Sequence, residues 1–188
     1  SLSNLNQLRL WSFDSFGEDL IANVRAGGVY YWDTSAKTLG TDRAVALSAL
    51  TGANLTPTKG LQVLVSDVDR HVIVLGADPI SGGSRSGSID PLLIAFSDQE
   101  NPAEWEPRSD NTAGSLRCSA GSEIIGGLRA RQETLIWTDV ALYSLQFVGT
   151  PLTFGLNLIN EGVSLIGPNA AINTPSGVFW MDKKGFYT

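Results

Sequence analysis

Apolar and polar side chains alternate along Leu8-Arg9-Leu10-Trp11-Ser12-Phe13-Asp14, the period-two pattern of a strand with one buried face. Residues 16 to 19 supply a turn, residues 20 to 24 a second strand, residues 25 to 28 another turn, and residues 29 to 32 a third strand. Three strands joined this tightly predict an antiparallel meander. The pattern then weakens, and residues 33 to about 60 read as loop, with residues 44 to 47 as a short strand or helical turn inside it. Residues 61 to 67 and 71 to 76 form a strand pair. The first of these is leucine-rich, but its β-branched residues and its length favour strand over helix.

Residues 78 to 91 are polar and rich in Gly and Ser, and predict a surface loop. Residues 92 to 96 return to strand, and the turn around Asp98, Asn101 and Pro102 lets Trp105 fold back onto the sheet. A loop over about 106 to 121 precedes a second clear meander at 122 to 129, 133 to 137 and 141 to 148. Residues 150 to 155 leave it and 157 to 163 are irregular. Residues 169 to 173, 178 to 181 and a stretch beginning at Phe186 then supply a last set of strands.

Superimposed on these strands is a repeat in which an apolar run reaches an aromatic residue and then Asp. It is visible in Tyr30-Tyr31-Trp32-Asp33, Phe96-Ser97-Asp98, Trp137-Thr138-Asp139 and Trp180-Met181-Asp182. The turns at Gly17-Glu18-Asp19, Asp67-Val68-Asp69, Arg131-Gln132 and Pro175-Ser176-Gly177 recur at intervals of roughly 45 to 65 residues, the range of propeller blades with insertions. A lone meander exposes an apolar face and two edges, whereas stacking such sheets buries both faces of each. The expectation is therefore an all-β fold, a β-propeller of about four blades forming a single domain over residues 1 to 188; the alternative is a β-sandwich. Asp33, Asp98, Asp139 and Asp182 read as turn-forming residues whose carboxylates accept backbone N–H groups. Trp32, Trp105, Trp137 and Trp180 read as blade-packing aromatics. The first residue is not Met and the last strand has barely begun at Thr188, so the chain is expected to be part of a longer polypeptide.

Composition narrows the chemistry. Nineteen acidic against 13 basic residues give a net charge of -6 without a basic cluster, which opposes sequence-specific nucleic-acid binding but would let a duplex pass without sticking. One Cys, Cys118, allows no intrachain disulfide, and one Cys with one His, His71, leaves no zinc site of usual composition. Asp67-Val68-Asp69 lacks the later ligands of a calcium loop. No apolar run is long enough for a membrane-spanning helix. Glu18, Asp19, Glu100, Glu104 and Glu106 could act as acid and base by type, but no spacing brings a pair of them across a cleft, and they read as solvated turn carboxylates. His71 has no accompanying nucleophile motif and reads as a strand-start residue satisfied by Asp67 or Asp69. Arg108, Arg117, Arg129 and Arg131 read as a solvated face, or as partners for acidic groups of a neighbouring subunit. No catalytic residue, metal ligand or cofactor is expected.

The segment Leu93-Ile94-Ala95-Phe96-Ser97-Asp98-Gln99-Glu100-Asn101-Pro102-Ala103-Glu104-Trp105, then Asn111-Thr112-Ala113-Gly114, and the run from Arg131 to Gly149, resemble virion structural proteins of tailed bacteriophages. Leu10-Trp11-Ser12-Phe13-Asp14 and Val178-Phe179-Trp180-Met181-Asp182-Lys183 look like parts of the same proteins. The likeness is to the tail nozzle, or tail tubular protein B, and to packaged-DNA stabilisation proteins of short-tailed phages. It implies a propeller-based subunit, assembled in the host cytoplasm into a ring, usually a homo-hexamer, within the virion. Such a ring sits below the portal and adaptor, contacts other tail proteins, retains the genome and lets double-stranded DNA pass without sequence-specific binding. The alternative expectation is a carbohydrate-binding or glycoside-hydrolysing propeller, with Trp105 or Tyr31 exposed beside two carboxylates.

Overall fold

The computed structural model describes residues 9 to 66 and 69 to 188. The expected strand start at Leu8 and the turn residues Asp67 and Val68 lie outside the described residues. The chain is all-β, with 48% of its residues in strands and 2% in helix.

Three antiparallel meanders of four strands follow one another, and a three-stranded one succeeds them. The first sheet is β1 (Trp11–Phe16), β2 (Asp19–Val24), β3 (Val29–Trp32) and the short β4 (Val45–Ala46), which a single 3-10 turn, Leu47–Ala49, continues. The second contains β5 (Gln62–Val65) and β6 (Val72–Leu75); after a small separate hairpin of β7 (Ile80–Ser81) and β8 (Ser84–Arg85) it is completed by β9 (Leu93–Phe96) and β10 (Gly114–Arg117). The third is β11 (Ile124–Arg129), β12 (Thr134–Thr138), β13 (Ala141–Gly149) and β14 (Thr153–Glu161). The fourth is β15 (Ala171–Thr174), β16 (Gly177–Asp182) and β17 (Gly185–Tyr187).

The period-two pattern decides how these sheets stack. In the second sheet Val63, Val65, Val72, Val74, Leu93 and Ala95 point to the first sheet and pack with Ile21, Val29, Tyr31 and Leu47. Their strand neighbours Leu64, Ile73, Leu75, Ile94 and Phe96 point the other way and pack with Ile124, Ile136, Tyr143, Leu145 and Phe154 of the third sheet. Leu135, Trp137 and Leu142, on the opposite face of the third sheet, meet Ala171, Val178 and Trp180 of the fourth. Three separate cores thus lie between four sheets in series. The second and third sheets are covered on both faces, which is why β6 and β9 are apolar at every position instead of alternating with polar residues. A β-sandwich has one core between two sheets, so the observed layering departs from that alternative. The first strands of successive sheets, β1, β5, β11 and β15, pack side by side in that order.

Several segments read as loop carry strands. Residues 78 to 91 contain the β7-β8 hairpin and residues 106 to 121 contain β10, whereas within residues 33 to 60 the short strand or helical turn read at 44 to 47 corresponds to β4 and the 3-10 turn after it. Gly114-Ser115-Leu116-Arg117 has one large apolar side chain and no intrinsic strand signal; it is recruited by the free edge of β9. The Phe96 ring lies against Gly114, where a Cβ would come within 2.8 Å of it. Of residues 157 to 163, read as irregular, 157 to 161 belong to β14, which ladders along β13. Only its first two residues are buried, so hydrophobicity marks little of it and the backbone ladder carries the rest.

Candidate functional site

The seam where the first strands meet carries a set of polar contacts that runs from sheet to sheet. A strand at the inner edge of a sheet leaves backbone N–H and C=O groups without ladder partners. Here side chains of a neighbouring sheet complete them. Ser12 Oγ accepts the Val63 N–H at 3.0 Å, and Asp14 Oδ2 accepts the Val65 N–H at 2.7 Å. The Gln62 side-chain amide pairs with both polar groups of Gly127, accepting its N–H at 2.8 Å and donating to its carbonyl at 2.8 Å. Arg129 Nη1 donates to the Val65 carbonyl at 2.9 Å and stands 3.4 Å from Asp14 Oδ2, so first, second and third sheets meet at one ionic point. Asn173 of the fourth sheet donates to the Arg129 carbonyl at 3.1 Å, and Arg25, from the β2-β3 turn, donates to the Ile124 carbonyl at 3.4 Å. Burial pulls the Arg25 guanidinium below its ordinary pKa, against the opposing effect of Glu123. The cavity at one end of the seam, between Trp11, Arg25, Gln62 and Asn169, is about 20 Å³.

The four expected turn aspartates all accept backbone N–H groups, but over different ranges. Asp33 accepts the N–H groups of Ser35 and Ala36 and the Ser35 hydroxyl, and that hydroxyl, followed by the Ala36 N–H, lowers its pKa. Asp182 accepts the N–H of Lys183 in the β16-β17 turn. Asp98 and Asp139 instead reach across the chain. Asp98 takes the N–H and hydroxyl of Thr112, and Asp139 takes those of Ser122 at 2.7 Å each. Partial burial opposes ionisation of both, but these donors outweigh it and hold each carboxyl below the usual range.

The tryptophans separate into two environments. Trp105 is buried in the core between the first two sheets, with Nε1 donating to the Pro102 carbonyl at 2.8 Å and Arg85 over its ring. Trp137 is fully buried and lies 5.8 Å from Trp180 across the joint between third and fourth sheets. Trp32 sits on the outward face of the first sheet, beside Trp11, Phe13, Leu20 and Tyr30.

His71 is also enclosed. Its Nδ1 lies 2.5 Å from Asp69 Oδ2 and its Nε2 2.9 Å from Thr112 Oγ1, within a cage of Phe96, Phe147 and Phe154. The order carboxylate, imidazole, hydroxyl is that of a nucleophile relay. Thr112 Oγ1, however, already donates to Asp98 and accepts the Gln99 N–H, so this hydroxyl is committed to tying its loop to the second sheet. Burial and the Asp19 carboxylate, which accepts the Tyr31 hydroxyl, push the Tyr31 phenol above its ordinary pKa.

Among the candidate carboxylates, Glu104 and Glu106 share the Asn54 amide and the Arg108 guanidinium. Arg117 pairs with Asp90 at 2.9 Å, and Arg129 with Asp14. Three of the four arginines considered as a solvated face or as partners for a neighbouring subunit are therefore satisfied within the chain. Arg131 lines an open cleft of about 1030 Å³ between third and fourth sheets, with Glu133, Asn173 and Trp180. No cluster of three or more metal-ligating side chains occurs among the described residues, and no helix among them is long and apolar enough to cross a membrane.

Ser12, Asp14, Gln62 and Asn173, the side chains that close the seam, were not singled out by the sequence. Their signal was present as polar residues on the first strand of each repeat, but only the packing of the sheets explains why they are there. No protein-family model matches this chain, and no curated protein matches it either.

Proposed function

We propose that this chain is a β-propeller-based structural subunit of a bacteriophage tail, of the nozzle type, which assembles with further copies into a ring around the DNA exit path of the virion. The observation that carries the reading is the series of meanders joined first strand to first strand, the arrangement by which propeller blades are held around an axis. Polar side chains lock this seam from sheet to sheet, as suits a wall that bears load. The acidic balance of the chain, with a net charge of -6, favours passage of a polyanion over its capture. The DNA channel in this reading lies between subunits and not along the seam of one, which is occupied by the Asp14–Arg129 pair. In this reading the ring adjoins the portal, the adaptor and other tail proteins, and it holds the genome until ejection.

The sugar-binding alternative placed Trp105 or Tyr31 in an open cleft beside two carboxylates. Both rings are buried between sheets, which removes the support that reading drew from them. Electron microscopy of the purified protein and of virions that carry it tests the proposal. Rings with a central opening wide enough for duplex DNA are expected, whereas monomeric particles in both preparations refute it.

A further inference from the structure

His71 and Asp69 are buried ionisable groups that stand apart from the seam. Their side chains expose 0% and 3% of their surface. His71 immediately precedes β6, and Phe96 of the second sheet with Phe147 and Phe154 of the third surround its ring at centroid distances of 6.5, 5.9 and 5.2 Å. Both ring nitrogens face oxygen atoms: Nδ1 stands 2.5 Å from Asp69 Oδ2, and Nε2 stands 2.9 Å from Thr112 Oγ1. Neither Nδ1 nor Asp69 Oδ2 has any other polar partner among the described residues.

The protons around this ring can be counted. The Thr112 hydroxyl has one to give. It accepts the Gln99 N–H at 2.9 Å and donates to Asp98 Oδ1 at 2.7 Å. Asp98 is an anion: partial burial opposes its ionisation, and the Thr112 hydroxyl and N–H outweigh that cost. With the hydroxyl proton committed, His71 Nε2 carries a proton of its own toward Thr112 Oγ1. On the other side of the ring, a bare Nδ1 would set its lone pair 2.5 Å from a carboxylate oxygen, inside a phenylalanine cage where an uncompensated charge is costly. Nδ1 therefore carries a proton as well. The Ser66 hydroxyl donates to the other Asp69 oxygen at 2.5 Å, which favours the carboxylate, and imidazole is the stronger base of the two, so this proton sits on the ring.

We infer that His71 is held as an imidazolium between Asp69 and the Thr112–Asp98 unit, and that its second proton is a clasp fastening the loop between β9 and β10 to the β5-β6 turn. The neighbouring charges are engaged around this arrangement. Arg70, beside His71 in sequence, turns outward to Glu100 at 3.4 Å. Arg129, Arg131 and Glu133, at the β11-β12 turn, line a cavity of about 40 Å³ together with Asp69. Arg129 is 3.4 Å from Asp14, and Glu133 accepts the Ser144 hydroxyl. An unfolded histidine is mostly neutral at pH 7, so the folded chain holds the extra proton there and the clasp is closed. As pH rises and this proton leaves, the Asp69 carboxylate faces a lone pair, and stability falls with it. The clasp lies within one chain and is independent of any assembly.

His71 is the one histidine, so its ring nitrogens give unique signals in the chain labelled with nitrogen-15 histidine. Two-bond proton–nitrogen correlation spectra at pH 7 are expected to show both nitrogens protonated, and a bare nitrogen at either position overturns the assignment. Asp69→Asn removes the counter-charge and is expected to return the ring to a neutral form; a ring that stays doubly protonated in this variant overturns the role of Asp69. Hydrogen exchange at the Gln99 and Thr112 amides, corrected for the intrinsic rate, is followed from pH 7 upward beside the nitrogen signals. Protection is expected to fall at least tenfold over the interval in which the ring loses its proton. Protection that holds while the ring titrates overturns the clasp, because the proton then fastens nothing. Should Asp69→Asn fail to fold, the spectra and exchange of the unmodified chain decide by themselves.

Discussion

Gln62 offers the sharpest test of the seam, because one side chain completes two backbone groups of a different sheet. Its amide makes two hydrogen bonds of 2.8 Å to Gly127, joining the second sheet to the third. Gln62→Ala removes both. At about 1 kcal/mol net for each bond, with a further contribution where the buried Gly127 N–H and C=O are left unpaired, the loss comes to about 2–3 kcal/mol. For a domain of this size each kcal/mol lowers Tm by about 2–4 °C, so the expected fall is about 4–12 °C. Gln62→Leu separates bonding from packing, since it restores volume without restoring either bond. Calorimetry on the three proteins, with hydrogen exchange at the Gly127 amide, reads both effects. Both variants should fall together, and the Gly127 amide should lose protection ahead of the β12 amides. A Gln62→Leu protein melting within about 1 °C of the unmodified chain, with the Gly127 amide still protected, would refute the view that polar side chains hold the sheets together.

Further expectations concern the joints and the turn carboxylates. Trp137→Ala empties a fully buried site between third and fourth sheets and should cost about 3–5 kcal/mol in urea unfolding. A loss below about 1 kcal/mol would show that the fourth sheet is not packed there. Asp98 and Asp139 have folded-state pKa values below their unfolded ones, so they stabilise the protein above the ordinary carboxylate range. That contribution is lost as pH falls through the lower folded values. The Asp98→Asn/Asp139→Asn double variant should therefore be less stable at neutral pH and show a flatter acid limb in denaturation midpoints between pH 2 and 6; an unchanged limb counts against the assignment. Burial pushes the Cys118 thiol up to about 12, so thiol reagents at pH 8 should label it only on unfolding, and prompt labelling of the folded chain would contradict its enclosure. Gly121 has φ +108°, and a Cβ there would come within 2.6 Å of Asp139 Oδ1 and 2.7 Å of Thr138 Oγ1. Gly121→Ala should destabilise by about 1–3 kcal/mol and weaken the Asp139 link to Ser122, with an unchanged urea midpoint as the contrary result.

The groups of strands were legible because each alternates or runs apolar between Gly, Asp or Pro turns. The turn signals at residues 17 to 19, 131 to 132 and 175 to 177 each mark the connection from the first to the second strand of a sheet, Asp19 and Gly177 being the residues that open the second strand. The strands that escaped, β7, β8, β10 and the exposed end of β14, are short or solvent-facing and contribute little hydrophobic patterning. They form because a neighbouring edge offers hydrogen bonds, a cause that lies outside their own residues. The turn aspartates were legible as acceptors of backbone N–H groups, but their partners were not. Asp98 and Asp139 reach Thr112 and Ser122, contacts closed only when the loops return to the sheet.

The sequence by itself determined an all-β chain of repeated meanders, because strand period and turn chemistry are local properties of neighbouring residues. It also determined that the second meander buries both faces, since β6 and β9 are apolar throughout. Tertiary structure alone decided which sheet covers which, and where the covering stops. Ser12, Asp14 and Gln62 became seam residues because inner-edge strands bring backbone groups to them from 51 to 65 residues away. Trp11 and Phe13 carry the same apolar signal as Val63 and Val65, yet one pair lies open on an end face and the other lies in a core. The difference is the presence of a next sheet, a relation between distant segments that no local pattern encodes.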